Sequence, residues 1–221
     1  MAHVIVSYDG TRNDRDALAL GSLFATAGAE VSLAYVRHSA EKAPERELEV
    51  HAETERLLTA GAEHIPGDVG QHIVFHPSTA EGLAKLAEDV AADIIVFGSS
   101  YRTPHFHIEV PQTASLLLER PAAFSIAIAP AGLRREPIER SIGTVRLIDE
   151  DDDAGARSTT ESIARALGAI VIDDDADLLL LASRPDASTG QLLLSGQGRE
   201  LLEQATCPVL ALVRGAELSF G

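Results

Sequence analysis

Residues 92–130, ADIIVFGSSYRTPHFHIEVPQTASLLLERPAAFSIAIAP, decide the fold of this chain. Residues 93–97 are an unbroken run of residues that favour strands, which is typical of a strand buried on both faces. Gly98 and two serines end that strand, and after a loop a helix begins near residue 112, followed by a strand over 124–129. A turn of small residues between a buried parallel strand and a helix is where open α/β sheets hold anions and nucleotides.

The chain ahead of this stretch alternates between strands and helices. An Asp-Gly turn follows the first apolar run, and Gly28 follows the first helical pattern, so both mark the end of an element. Because a helix follows each strand, the strands are expected to be parallel, with right-handed crossovers, in a doubly wound five-stranded sheet. The predicted strands here are residues 3–8, 30–36 and 72–75, and the predicted helices are residues 13–27, 45–60 and 81–91.

These segments resemble the universal stress protein family. The family carries, after an Ala-Asp-apolar strand, the pattern G-x2-G-x9-G-[ST], then a helix and a Cys-Pro-Val strand. Here the spacing fits without a gap, but Tyr101 and Pro111 stand at the second and third glycine positions, and Gln112 stands at the Ser/Thr position. The first segment, HVIVSYDGTRNDRDALALGSLFA, is similar to the first strand, Asp-Gly turn and first helix of the family. The resemblance implies the strand order 3-2-1-4-5.

A second match lies near the end of the chain, in ADLLLLASRPDASTGQLLLSGQGRELLEQATCPVLALV. Ala182, Pro185 and Ser195 stand at its three glycine positions, while the segment that begins at Cys207 resembles the last strand of the family. The resemblance therefore covers almost the whole chain as two unequal tandem copies.

The predicted division is a complete α/β domain over residues 1–133, a charged linker over 134–140 and a reduced copy over 141–221. In the reduced copy, the third strand and two helices have no counterpart. Only four residues separate the apolar run 169–172 from the next strand, too few to return along a sheet to a long parallel neighbour. That run is predicted as either a very short edge strand or an antiparallel one. The other predicted elements are strands over 143–148 and 178–181 and a helix over 158–167.

The last strands of the two halves, residues 124–129 and 209–213, are predicted to pair with each other. Both are apolar edge strands, which proteins must cover or pair. The resemblance implies that this pairing would make the halves an intramolecular pseudo-dimer. Any homodimer would then use another surface.

Composition limits the classes of function. The net charge of −16 argues against nucleic acid and anionic membrane surfaces as partners, since both require basic patches. One cysteine in 221 residues excludes an intramolecular disulfide framework and suits a reducing compartment. The sequence shows no signal peptide and no apolar run of about 20 residues, so a cytoplasmic location without a membrane span is expected.

Asp9 and Val36 are candidates for contact with an adenosine group. Asp9 ends the first strand at the point where the strand order reverses, and a carboxylate there can accept hydrogen bonds from an adenine or a ribose. The resemblance implies an adenosine contact for Asp9 and an apolar contact with the base for Val36. The structural alternatives are that Asp9 caps the first helix or holds the turn with Gly10, and that Val36 is a core residue.

Gly98 and Thr113 are the candidates for the phosphate end. The resemblance implies that Gly98 lets a phosphate approach the backbone, while Thr113 can offer a hydroxyl and cap the helix. However, Tyr101 adds bulk where the backbone should be bare, and Pro111 has no N–H to donate. Binding of ATP or AMP is therefore predicted to be weak in the first half and absent in the second, where an acidic run follows the first strand.

Two sets of residues raise the possibility of a metal site. His105 and His107 place both imidazoles on one face of an extended segment, as zinc sites often do, but no third ligand stands at diagnostic spacing. The acidic runs 149–153 and 173–175 supply the oxygen ligands that Mg²⁺ and Ca²⁺ prefer, but they lack the spacing of a calcium loop. Exposed histidines and solvated acidic loops are favoured, so no metal is predicted.

The resemblance implies a binding or regulatory protein of the stress response, with no catalytic residues. One alternative is an ATP-binding protein with slow Mg²⁺-dependent hydrolysis, which would require a phosphate loop and an acid–base pair. Another is a ligand-free scaffold for an unknown protein partner. The sequence holds no nucleophile elbow, Walker lysine or HExxH motif that would favour an enzyme.

Overall fold

Strands and helices alternate through the first 129 residues, as predicted. The computed structural model describes residues 1–100, 102–135 and 142–221. A short 3-10 helix, Leu133–Arg135, ends the first half. The strands of this half are β1 (His3–Ser7), β2 (Glu30–Arg37), β3 (Val69–Phe75), β4 (Ile94–Gly98) and β5 (Ser125–Ala129), and its helices are α1 (Asp14–Thr26), α2 (Pro44–Ala62), α3 (Thr79–Asp89) and α4 (Gln112–Leu118).

Local signals explain where several of these elements begin and end. α1 ends just before Gly28, whose φ of 87° is the left-handed conformation that glycine adopts at low cost. α3 begins after Ser78, whose hydroxyl accepts a hydrogen bond from the Glu81 amide. β3 begins three residues before the predicted strand, because pairing with β2 extends it over residues 69–71, where Gly70 interrupts the strand preference of the sequence.

The five strands of the first half are parallel and lie in the order β3-β2-β1-β4-β5. The predicted doubly wound α/β fold is therefore confirmed. β4 and β5 are buried along their whole length, as expected for central strands covered on both faces. The order reverses between β1 and β4, whose carboxyl ends form the crevice where such sheets bind ligands.

Three elements of the second half differ from the sequence prediction. α5 starts four residues before the predicted helix, because the Asp153 carboxylate accepts amides of its first turn and caps it there. α6 has no counterpart among the predicted elements, and β9 ends two residues early. Within the described residues, no helix is both long and apolar enough to cross a membrane. The elements are β6 (Thr144–Ile148), α5 (Ala154–Leu167), β7 (Ile170–Val171), β8 (Leu178–Leu181), α6 (Gly196–Gln204) and β9 (Val209–Ala211).

Residues 169–172 contain a very short parallel edge strand, the first of the two predicted alternatives. β7 and β8 both pair with the start of β6, on opposite sides of it, so the chain does not have to return along the sheet. The connection passes the beginning of β6, where the Asp177 carboxylate accepts the amides of Gly143 and Thr144, both at 3.0 Å.

β5 and β9 pair antiparallel, which joins the two halves into one sheet of nine strands within the described residues. The predicted pairing of the last strands is thus confirmed, and the full order is β3-β2-β1-β4-β5-β9-β8-β6-β7. That the second half is a reduced copy of the first stays a prediction. The predicted linker begins inside the 3-10 helix at Arg134, and its residues 136–140 lie outside the described residues.

Buried side chains form one core on each face of the sheet, and the carboxyl-terminal tail covers one end of the first core. Phe220 stacks on Phe24 of α1 with ring centroids 6.0 Å apart. The Ser219 carbonyl accepts the Ala2 amide at 2.8 Å, and the Ser162 hydroxyl of α5 accepts the Phe220 amide at 2.9 Å. The tail therefore connects α1 to α5 across the two halves.

Candidate ligand site at the carboxyl ends of β1 and β4

The fold brings together two of the predicted ligand residues, Asp9 and Gly98. Asp9 lies two residues after β1, and Gly98 is the last residue of β4. Asn13, the N-cap residue of α1, packs on Gly98, and a Cβ placed on Gly98 would overlap the Asn13 carbonyl oxygen. Gly98 thus allows α1 to pack closely on β4, and its predicted phosphate contact stays a prediction beside this structural role.

Asp9 holds the turn between β1 and α1. Its carboxylate accepts the Thr11 amide at 2.9 Å, and its own amide donates to the Asp14 carboxylate at 2.5 Å. Gly10 has a φ of 82°, and a Cβ there would overlap Leu57 of α2, so only glycine fits this turn without strain. The structural alternative for Asp9 is therefore observed, while its side chain stays exposed to solvent.

The carboxyl groups of Asp9 and Asp14 shift each other's pKa in this turn. Burial raises the pKa of Asp14 to about 8, and both the hydrogen bond with Asp9 and the charge of Asp9 add to the rise. Loss of solvent around Asp9 raises the pKa of Asp9. Hydrogen bonds with Asp14 and with the Thr11 amide lower it by more, so the pKa of Asp9 is lowered overall. The two shifts predict that at neutral pH Asp14 holds a proton while Asp9 is ionised.

The raised pKa of Asp14 is expected to make stability depend on pH. The pKa rises from 3.8 to about 8 on folding, so this group stabilises the folded state below about pH 4, and the contribution is lost as pH rises through about 8. A tenfold change in proton affinity is worth about 1.4 kcal/mol. A rise in pKa of only half this size would therefore change the free energy of unfolding by about 3 kcal/mol. Relative to wild type, Asp14→Asn should gain about 3 kcal/mol in free energy of unfolding between about pH 4 and 8.

Urea denaturation at a series of pH values measures this difference. Asp174→Asn is the matched control, since it neutralises an aspartate in an exposed loop of the second half and should show the pH dependence of the wild type. A wild-type stability that runs parallel to that of Asp14→Asn at every pH would contradict the raised pKa of Asp14.

Val36 packs against α3. A Cβ placed on Gly82 of that helix would lie 3.1 Å from Cγ1 of Val36, and the half-buried Val36 side chain belongs to the margin of the core on that face. The next residue, Arg37, pairs with both carboxylate oxygens of Glu47 at 2.6 and 2.9 Å and lies 4.7 Å from the centre of the Phe75 ring. The observed contacts of Val36 are those of a core residue, and its contact with a base stays a prediction.

The loop after β4, which is the predicted phosphate end of the site, folds back on itself. The Ser100 amide donates to the Glu109 carbonyl at 2.8 Å. The Ser99 hydroxyl donates to the Ala129 carbonyl, also at 2.8 Å. Two polar groups of the predicted phosphate end are thus bonded within the protein, a feature that depends on the path of the loop and has no signal in the sequence.

The helix after this loop begins without a side-chain cap. Pro111 occupies the N-cap position of α4, and Gln112 is its first residue. The expectation that Thr113 caps this helix is wrong, because Thr113 is already inside it; its contact with a ligand stays a prediction. Tyr101, at the second glycine position, lies outside the described residues.

Asp16 is a buried residue beside the site that sequence reasoning missed. Its side chain accepts the amides of Gly132 and Arg134 at 3.0 and 2.9 Å and pairs with the Arg134 guanidinium at 2.8 Å. These contacts hold the loop after β5 against the start of α1. A signal was present, since Asp16 precedes Leu20 and Phe24 by four and eight residues and so lies on the apolar face of α1.

In the second half, an acidic side chain lies at the start of the helix that follows β8. The Ser195 hydroxyl, which caps α6, donates to the Glu150 carboxylate at 2.6 Å. The neighbouring Asp151 pairs with Arg214 at 2.6 Å, and the hydrogen bond with Arg214 lowers the pKa of Asp151. A helix start attracts negative charge, and here Glu150 supplies it.

The candidate metal ligands do not form a cluster in the part of the chain that the structure describes. Among those residues, no group of three or more His, Cys, Asp or Glu is arranged to hold a metal ion. His105 and His107 are exposed. Cys207 lies two residues before β9 rather than within a strand, and burial raises the pKa of its thiol to about 11, so it is protonated at neutral pH.

One protein family matches the sequence of the first half. The model of the Universal stress protein family matches residues 1–118. A search of curated proteins found no match.

Solved structures share the fold. A universal stress protein from Archaeoglobus fulgidus DSM 4304 has a TM-score of 0.68 at 13% identity, and the match covers 96% of this chain and 98% of that chain. A functionally unknown protein from Pseudomonas aeruginosa PAO1 has a TM-score of 0.63 at 13% identity, with 97% and 93% covered. A universal stress protein in complex with cAMP matches a shorter part, with a TM-score of 0.35, 21% identity, and 43% and 70% covered. At these identities the likeness to the first two structures concerns the fold alone.

Proposed function

Because the chain belongs to the universal stress protein family, we propose that it is a binding and regulatory protein of the stress response rather than a metabolic enzyme. Its proposed ligand is an adenine nucleoside or nucleotide, bound weakly and only in the first half. The observation that carries this proposal is a contrast between the two ends of the crevice. Asp9 is exposed to solvent although its carboxylate accepts the Thr11 amide, whereas Ser99 of the phosphate end is buried and its hydroxyl is bonded to the Ala129 carbonyl.

Asp9 is proposed to recognise the adenosine part of the ligand. Its lowered pKa keeps it ionised at neutral pH, and an ionised carboxylate accepts strong hydrogen bonds from a ribose hydroxyl or an adenine amino group. The proton on Asp14 leaves one negative charge in the turn instead of two, which weakens the repulsion of an anionic ligand. Val36, on the neighbouring strand β2, is proposed to supply the apolar contact with the base.

The phosphate end is proposed to add little affinity. A phosphate cradle works through several charge-assisted backbone hydrogen bonds, each worth about 1.5–3 kcal/mol. Pro111 has no N–H to donate, and the Ser100 amide already donates to the Glu109 carbonyl. Two lost bonds correspond to about 3–6 kcal/mol, or about two to four powers of ten in affinity. Gly98 and Thr113 would be the remaining phosphate contacts.

The second half is proposed to be a reduced copy of the first that binds no nucleotide. The Ser183 hydroxyl after β8 donates to the Leu212 carbonyl at 2.8 Å, as the Ser99 hydroxyl after β4 donates to the Ala129 carbonyl. This equivalence supports the repeat. The carboxylate of Glu150 at the start of α6 supports the loss of binding, because it repels a phosphate from that position.

Isothermal titration calorimetry tests the proposal. Adenosine and AMP are expected to bind the full chain weakly, and Mg-ATP and cAMP should bind no more than about tenfold tighter than adenosine. Asp9→Ala should weaken adenosine binding about tenfold or more, since a charge-assisted hydrogen bond is lost. Asp9→Asn keeps an acceptor for the Thr11 amide and separates the ligand contact from the folding of the turn.

Asp174→Ala is the control, because it removes an exposed carboxylate of the second half and should leave adenosine binding unchanged. Micromolar binding of Mg-ATP, about a hundredfold or more tighter than adenosine, would contradict the proposal and favour slow Mg²⁺-dependent hydrolysis. No binding of any of these ligands, with no nucleotide in mass spectra of the gently purified protein, would contradict it in favour of a ligand-free scaffold.

A further inference from the structure

The outer strands of the sheet, β3 and β7, differ in how well they are protected against pairing with another chain. β7 has two residues and is followed by three exposed aspartates, residues 173–175. A very short strand and nearby charges are the usual protections of a sheet edge. The edge of β5 is covered by β9.

β3 is longer and carries no charge within the strand, although the exposed Asp68 directly precedes it. Its seven residues, VGQHIVF, include no lysine, acidic residue or proline. The amide of His76, just beyond β3, donates to the Arg37 carbonyl of β2, so by strand alternation the amides of Gln71, Ile73 and Phe75 point away from the sheet. Within the described residues, these three amides have no hydrogen-bond partner.

We propose that β3 and the adjacent side of α2 form a dimerisation surface, on which a second copy of this chain pairs antiparallel about a two-fold axis. The free strand supplies backbone hydrogen bonds along the shared edge, and the two sheets become one. The acidic character of the chain does not oppose this contact along the strand, because β3 itself has no acidic side chain. A two-fold axis also closes the assembly at two copies.

Charges on α2 favour a second copy over an unrelated strand. The Thr59 hydroxyl lies 3.4 Å from the Gln71 side-chain oxygen, which places this side of α2 beside the edge of β3. Arg56 on this helix and Glu63 directly after its end are both exposed, and neither has an ion-pair partner among the described residues. A two-fold axis between Thr59 and Ala60 would bring Arg56 against the partner's Glu63, twice in the dimer.

The spacing of the layers agrees with this arrangement. Neighbouring strands lie about 4.8 Å apart, and α2 packs over both β2 and β3. The α2 axis therefore lies about half a strand spacing inside β3, and the two α2 axes would be about 10 Å apart across the two-fold. Packed helices in proteins have axes about 8–10 Å apart. The two β3 strands can therefore pair while the two α2 helices pack against each other.

Sedimentation velocity of the full chain over a range of concentrations tests the dimer. The wild type is expected to shift from monomer to dimer as concentration rises. Ile73→Pro should weaken the dimer at least about tenfold without unfolding the chain, since proline is tolerated in an edge strand where the N–H points outward. Arg56→Glu should weaken it about tenfold, and the double variant Arg56→Glu/Glu63→Arg should restore it.

Two control variants test whether the contact lies at β3 and α2. Arg165→Glu makes the same charge change on α5, and Val171→Lys adds a charge to β7; neither should alter the dimer. Hydrogen exchange should show the amides of Gln71, Ile73 and Phe75 slowing as concentration rises. A chain that stays monomeric at all concentrations would overturn the proposal. So would a dimer that Ile73→Pro leaves intact or that Val171→Lys disrupts.

Discussion

Replacing Asp16 by alanine is expected to lower the free energy of unfolding by about 3–5 kcal/mol. The Asp16 side chain is 4% exposed, and it pairs with the Arg134 guanidinium while accepting two backbone amides. Its removal leaves a partly buried positive charge and two unpaired amides, because water cannot fully replace the carboxylate there. Urea denaturation followed by circular dichroism measures the loss.

Arg134→Met is the matched variant on the other side of this ion pair. It removes the charge but leaves Asp16 its two amide hydrogen bonds, so a smaller loss of about 1–2 kcal/mol is expected. Asp16→Asn keeps the shape of the side chain and should fall between the two variants. If Asp16→Ala lost less than about 1 kcal/mol, the loop after β5 would not depend on this carboxylate.

Phe220→Ala is expected to cost about 3–4 kcal/mol in free energy of unfolding. Phe220 is the second-last residue, yet it is only 5% exposed and stacks on Phe24 of α1. Its backbone is held by Ser162 of α5, so the ring fills a place in the core that the surrounding helices cannot close without it. The same urea measurements test this variant.

Phe106→Ala is the control for Phe220→Ala. Phe106 is 48% exposed on the loop after β4, so its truncation is expected to cost less than about 0.5 kcal/mol. Equal losses in the two variants would mean that the tail is not packed on α1 in solution.

The order of strands and helices could be predicted because its signals are local. β4 and β5 are apolar runs bounded by glycine or proline, and their burial follows from that pattern. The helical ends were less predictable. α5 begins at Asp153 because this one carboxylate caps it, and α6 has a polar sequence whose only strong signal is the Ser195 cap.

The candidate site was only partly predictable. Asp9 and Gly98 could be named from their places at strand ends, but what they contact depends on other elements. Gly98 meets Asn13 because α1 packs across β4, and Asp9 meets Asp14 because the turn folds back on the first helical turn. Neither contact follows from spacing alone.

The sequence by itself determined the α/β class, the parallel direction of the first five strands, and the pairing of residues 124–129 with residues 209–213, while the order of those five strands was implied by the family resemblance. The class and the direction follow from apolar runs that alternate with helical patterns. The pairing follows from two apolar edge strands that must be covered. Tertiary structure alone decided that the Ser100 amide bonds to the Glu109 carbonyl rather than staying open, and that Asp16 is buried beside Arg134. These outcomes depend on polar groups, which are satisfied equally well by water or by one of many partners until packing brings a single partner close.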